Sequence, residues 1–124
     1  MIQSMDKTFM FAGALLGGLG VAIGAFGAHG LRGRLSPEML AVFETGVRYH
    51  MYHALAILAT AALLPRIDGR AVLIAGWSFM AGIVLFSGSL YALALSGITT
   101  LGAITPLGGV AFLVGWISLA VAAF

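Results

Sequence analysis

Three stretches of this chain contain no Asp, Glu, Lys or Arg: residues 8–31, 49–65 and 71–124. Apolar runs of that length can avoid water only inside a large core or in lipid, and a membrane-crossing helix needs about 20 of them. A 124-residue chain is too small to bury all three in a core of its own. Only 8% of its residues are charged and 61% are hydrophobic, against roughly 25% charged in soluble domains. With a mean hydropathy of +1.10, a water-soluble fold is excluded and the outer surface is expected to face lipid.

The last run, 54 residues long, suffices for two crossings. It has a natural break at Ser96-Gly97-Ile98-Thr99-Thr100-Leu101-Gly102, where glycine and β-branched polar residues cluster. The expected fold is therefore an all-α integral membrane protein, a single domain over residues 1–124. It is a four-transmembrane-helix bundle with spans near 8–29, 46–64, 71–95 and 103–123. A secretory signal peptide is the competing reading of the N-terminus. It fails because the first run exceeds the roughly 7–15 residues of a signal h-region and because the downstream chain is itself apolar.

Half of the ten charged residues lie between the first two spans, in residues 32–48. Ser36-Pro37-Glu38 has the form of a helix start: a capping hydroxyl, a proline suited to the first turn and an acid that complements the positive end of the dipole. No proline follows until Pro65, so one continuous helix is predicted over 37–64. Its first turns would form an interfacial extension whose apolar face is Met39, Leu40, Phe43 and Val47. Basic residues divide almost evenly between the two sides, with Lys7, Arg66 and Arg70 against Arg32, Arg34 and Arg48. The free amine of Met1 tips the expectation towards cytoplasmic termini.

Gly13, Gly17, Gly20, Gly24 and Gly27 recur at intervals of four and three residues, which places all five on one stripe of the first helix. Lipid tails are as apolar as leucine, so helices in a bilayer associate by close van der Waals contact, which such stripes permit. A homodimer face is one use of the stripe. Four helices in so small a protein must pack on one another first, so an intramolecular seam is expected. The small residues of the third and fourth spans likewise argue against a wide pore. Trp77 and Trp116 are read as interface anchors.

The up-and-down topology brings the polar residues together. The first span ends at His29, the second begins with Glu44, Arg48, Tyr49, His50 and His53, the third ends with Ser87, Ser89 and Tyr91, and the fourth begins at Thr105. All lie towards one face of the membrane. Glu44 and Arg48 are spaced i, i+4 with the acid first, the favourable order for a helical ion pair. Polar side chains at depth usually hydrogen-bond across helices and fix the bundle. The alternative is a ligand or proton site, which would make the chain a small transporter or binding protein using His29, Arg48, His53 and Tyr91. A third reading pairs His29 with His50 or His53 around a haem, but nothing else marks a haem pocket and the glycine-rich packing leaves little room.

No cysteine is present, no metalloprotease, Walker or dinucleotide motif occurs, and the serines have no adjacent base. No catalytic residue, metal site or cofactor is therefore expected, and a net charge of +2 gives no footprint for nucleic acid. The expected role is structural, with the lipid bilayer and either a second copy or another membrane protein as partners.

Four blocks carry a resemblance: Gly24-Ala25-Phe26-Gly27-Ala28-His29-Gly30-Leu31, then residues 43–55 from Phe43-Glu44-Thr45-Gly46 to His53-Ala54-Leu55, then Phe86-Ser87-Gly88-Ser89-Leu90-Tyr91, and finally Ile104-Thr105-Pro106-Leu107-Gly108-Gly109 with Gly115-Trp116. In this order the chain resembles the small membrane proteins grouped as domain of unknown function 423, also grouped as UPF0382, which take in the transmembrane protein 256-like proteins of eukaryotes. The resemblance implies a multi-pass protein of a bacterial cytoplasmic (inner) membrane and supplies no catalytic residues. Two positions depart from what the family leads one to expect, Gly46 in place of Ala and His50 in place of Gln. An amide at position 50 implies a hydrogen-bonding role rather than metal ligation.

Overall fold

Helix α1 runs Ile2–His29 and α2 runs Pro37–Leu63. The computed structural model describes residues 2–67 and 69–124, with side chains from residue 5 onward; Met1, whose amine entered the charge balance, lies outside the described residues. The start of α2 is built as its sequence dictates: Pro37 occupies the first turn, and Ser36 Oγ accepts a hydrogen bond from the Met39 N–H at 3.1 Å. At the far end Leu64 continues the helical turn by donating to the Thr60 carbonyl before Pro65 stops it.

The third rod is two helices in line, α3 (Ala71–Gly82) and α4 (Gly88–Ser96), joined by a single π turn over Ile83–Ser87. It ends at Gly97, whose φ of 74° is the left-handed conformation that glycine adopts without a Cβ penalty. A short 3-10 turn, Thr99–Ala103, then leads into α5 (Thr105–Ala122). Among the described residues these four rods are the whole regular structure and no strand is formed; Arg32 and Leu35 make only an isolated bridge in the first loop.

Three stretches are long and apolar enough to cross a membrane: Met5–His29, Ala71–Ser96 and Thr99–Ala122. The sequence-predicted second span lies within α2, a continuous helix of 27 residues whose first half carries Glu38, Glu44 and Arg48.

Packing follows chain order. Helix α1 lies along α2, α2 lies against the α3–α4 rod, and α5 lies along α3 and the π turn. Glycine fixes the close approaches. Along α1 the side chains of α2 press into the stripe, with Leu58 at Gly13, Met51 at Gly20, Val47 at Gly24 and Phe43 at Gly27, whereas Gly17 opens onto free space. On the other side of the bundle Phe112 of α5 sits over Gly82, Phe79 sits against Gly115, and the backbone of Phe86 lies directly against Gly108. Two apolar clusters result. The larger joins Phe9, Ile57, Val72, Phe79, Ile83 and Phe112 in the half of the bundle that holds the termini, and the smaller joins Leu31, Phe43 and Ala94 near the first loop.

Candidate functional site: a buried polar network beside an aromatic groove

His50 and His53 point from α2 to different neighbours. A backbone carbonyl can only accept, so the 2.7 Å contact between His50 Nε2 and the Leu16 carbonyl of α1 requires the hydrogen on Nε2. Nδ1 is then the acceptor, and the Tyr91 hydroxyl of α4 donates to it at 2.8 Å. One imidazole thus joins three helices. The approach to α1 is possible because Gly20 has no side chain; a Cβ there would stand 3.3 Å from His50 Cδ2 and collide with the Met51 sulfur.

His53 carries the opposite tautomer. Its Nδ1–H donates to the Tyr49 carbonyl one turn back at 2.7 Å, and its Nε2 accepts from the indole N–H of Trp116 in α5 at 3.0 Å. Indole is a donor only, so this bond has one polarity. The ring lies flat on Phe112, with centroids 3.5 Å apart and planes inclined by 8°. Phe79 and Trp116 close over it at 5.5 and 5.8 Å.

The serines tie the π turn to its neighbours. Buried Ser87 donates to the Gly46 carbonyl of α2 at 2.7 Å. Ser89 donates to the Phe86 carbonyl at 2.9 Å, so the Thr105 hydroxyl of α5 donates to Ser89 Oγ at 2.6 Å. A Cβ on Gly46 would stand 2.8 Å from the Tyr91 ring, so glycine at this position makes the room that Tyr91 occupies.

His50, His53, Ser87, Ser89, Tyr91, Thr105 and the Tyr49 carbonyl are therefore brought together, while His29, Glu44 and Arg48 are not. His29 is the last residue of α1 and is exposed. Glu44 and Arg48 are exposed as well. At about 100° per residue they fall, with Tyr52 and Leu55, on a stripe of α2 turned away from the third rod, where Glu44 and Arg48 border a pocket with Gly24, Gly27 and Ala28 of α1. Trp116, read from the sequence as an interface anchor, is half exposed and is in addition a bonded partner of His53. Trp77 is half exposed and meets Phe9 edge-on at 5.5 Å. The parts played by Phe112, Phe86 and the π turn were not foreseen from the sequence. The available signal was the spacing Gly108-Phe112-Gly115-Trp116, which sets two glycines and two rings on one face of α5.

Between α2 and α5 the same aromatic residues border an open groove of ≈ 860 Å³, lined by Tyr49, Tyr52 and His53 on one side and Pro106, Phe112 and Trp116 on the other. All four imidazole nitrogens of His50 and His53 are already bonded within the protein. Among the described residues no group of three or more His, Cys, Asp or Glu side chains could hold a metal ion.

Comparison with known proteins bears on the same residues. Residues 23–109, which include His29, both α2 histidines, the serines, Tyr91 and Thr105, match the family described as "Protein of unknown function (DUF423)". The chain is 54% identical over 118 residues to the UPF0382 membrane protein YwdK of Bacillus subtilis (strain 168), covering 94% of this chain and 96% of the relative. It is 49% identical over 121 residues to the UPF0382 membrane protein SAB0533 of Staphylococcus aureus, covering 95% and 96%. With the UPF0382 membrane protein SERP0230 of Staphylococcus epidermidis it shares 47% identity over 116 residues, 94% of either chain. No solved structure matches. With a family match over more than half its length and relatives about half identical across nearly all of it, the chain belongs to the DUF423 family and is similar throughout to membrane proteins of the UPF0382 group.

Proposed function

We propose that this protein is a non-enzymatic, four-span component of the bacterial cytoplasmic membrane, a small bundle whose buried polar network fixes helix packing so that its outer faces can engage lipid or another membrane protein. The observation that carries this reading is the saturation of the network: each histidine nitrogen already has a protein partner on a defined helix. Coordination of a metal or haem iron needs a free imidazole lone pair, and neither ring has one while these bonds are made, whereas a packing lock needs none. Counting α2 as a span is supported by its unbroken 27 residues and by the charge-free residues 49–65. Both termini then lie on one side, which the charge balance favours as the cytoplasm.

The test uses His53. Glutamine offers Trp116 an acceptor and leucine does not. If His53 is a lock, His53→Gln costs about 1 kcal/mol or less and His53→Leu about 1–3 kcal/mol, and any cellular phenotype follows the loss of stability. A His53→Gln protein that melts like the parent in detergent yet is inactive in the cell would overturn the lock reading. The transporter alternative through His29, Arg48, His53 and Tyr91 has less support, because the first two stand outside the network and Tyr91 is bonded to His50 rather than His53.

A further inference from the structure

We infer that the pocket between α1 and α2 at the end nearest the termini is a lipid site for a glycerophospholipid whose head group is a zwitterion with a primary amine, as in phosphatidylethanolamine, the ammonium lying at Asp6 and the phosphate at Lys7. This rests on the reading of α2 as a membrane span.

The pocket, of ≈ 240 Å³, is lined by Asp6, Lys7 and Met10 of α1 and by Leu58, Ala61 and Ala62 of α2. Contacts along the seam fix its level. Leu58 packs at Gly13 and Met51 at Gly20, and the same antiparallel register sets Asp6 and Lys7 level with Pro65 and Leu64, where the charge-free residues 49–65 end. The carboxylate and the ammonium therefore stand where hydrocarbon gives way to head groups, and the apolar lining stands below them, at the depth of the glycerol and the first methylenes.

Asp6 is an acid that the rest of the fold leaves unused. Its Oδ1 is buried without a hydrogen-bond partner, and its carboxylate forms no ion pair among the described residues. Buried acceptors in native structures are almost always satisfied, so this one calls for a donor. The carboxylate torsion is broad and two-fold, which lets either oxygen face the pocket. Lys7 is exposed beside it, and the two are not paired with each other. An acid and a base side by side, neither spent on the other, complement a zwitterion. A primary ammonium also brings three N–H donors. The quaternary amine of phosphatidylcholine has none, and the anionic head of phosphatidylglycerol would meet Asp6 as a like charge.

Native mass spectrometry of the full chain in detergent reads the site. The protein is stripped of lipid and offered equal amounts of phosphatidylethanolamine, its N-monomethyl and N-dimethyl forms, phosphatidylcholine and phosphatidylglycerol, all with the same acyl chains. Retention should fall as methyl groups replace N–H donors, with phosphatidylethanolamine held about fivefold better than phosphatidylcholine, the size of one exposed ion pair. Asp6→Asn should remove that preference and raise binding of phosphatidylglycerol. Lys7→Gln should weaken phosphatidylethanolamine and phosphatidylcholine alike. Ala62 is exposed on the pocket wall, so Ala62→Phe fills the pocket and should lower retention of every lipid. The methylation series uses the parent chain alone, so the test stands even where a variant fails to fold.

Equal retention of phosphatidylethanolamine and phosphatidylcholine by the parent chain would overturn the site and leave the four-span reading intact. A preference that survives in an Asp6→Asn protein melting like the parent would also overturn it. Displacement of the lipid by an equal concentration of water-soluble phosphoethanolamine would overturn the lipid as ligand, by showing that the head group alone suffices.

Discussion

At the scale of single residues, the two histidines show how much a tautomer can encode. His50 holds its hydrogen on Nε2 and His53 on Nδ1, because the first faces a carbonyl with Nε2 and the second faces an indole N–H with the same atom. Glutamine at position 50 offers one of its two amide N–H donors to the Leu16 carbonyl and its oxygen to the Tyr91 hydroxyl, so it can replace both bonds with one N–H to spare. His50→Gln is therefore expected to shift stability by less than about 1 kcal/mol, while His50→Leu strands the Tyr91 hydroxyl and costs about 1–3 kcal/mol. Denaturation in mild detergent reads both. Combining His50→Leu with Tyr91→Phe should recover part of the loss, since a hydroxyl that is absent needs no acceptor; strict additivity would deny the bond.

At the scale of elements, the π turn is what the third rod contributes beyond a span. A π turn widens the helix by one residue, and such turns recur at functional sites. This one brings Ser87 onto the Gly46 carbonyl and lays the Phe86 backbone against Gly108. Adjacent glycines on α5 therefore have opposite fates. A Cβ at Gly108 would run into the main chain of Phe86, which cannot rotate away, whereas one at Gly109 meets nothing. Gly108→Ala is expected to destabilise by about 1–3 kcal/mol or more. Gly109→Ala should be neutral or stabilise by up to about 1 kcal/mol through helix propensity. Thermal melts of the two variants check this, and equal effects would contradict the described α5 contact. Apolar runs, the capped helix start at Ser36 and the glycine break at residue 97 were legible in the sequence because each is a local pattern. The π turn was not, since its run of Ile, Val, Leu, Phe and Ser is compatible with an ordinary helix. The bond of Trp116 was not legible for a related reason: only the tertiary packing puts its N–H against His53.

At the scale of the whole molecule, hydroxyls and imidazoles that meet backbone carbonyls lie among two apolar clusters, with His53 against Phe79 and Phe112 of the larger and Tyr91 against the smaller. Lipid offers no water to satisfy a buried polar group, so such groups are tolerated only when they satisfy each other. Sequence placed most of these residues on one side of the membrane but also enlisted His29, Glu44 and Arg48, because linear position gives depth and not the face of the helix. The proposed four-span reading makes parity a clean prediction. The native chain has no cysteine, so single replacements Arg34→Cys, Arg66→Cys and Phe124→Cys report position without background. Positions 66 and 124 should label from the cytoplasmic side and position 34 from the other; labelling of 34 and 66 from one side would remove α2 as a span.

Whether a saturated polar network fixes the bundle is read most directly from the ring nitrogens of His50 and His53 in the full chain in bilayers. Nitrogen-15 NMR distinguishes protonated from bare imidazole nitrogens, and the network fixes all four at once through Leu16 of α1, Tyr91 of α4 and Trp116 of α5, with Tyr49 of α2 itself. Opposite tautomers are expected, with hydrogen on Nε2 of His50 and on Nδ1 of His53, and His53→Gln should leave the His50 pattern unchanged. The same tautomer at both residues, or averaging of both rings between tautomers, would rule the saturated network out.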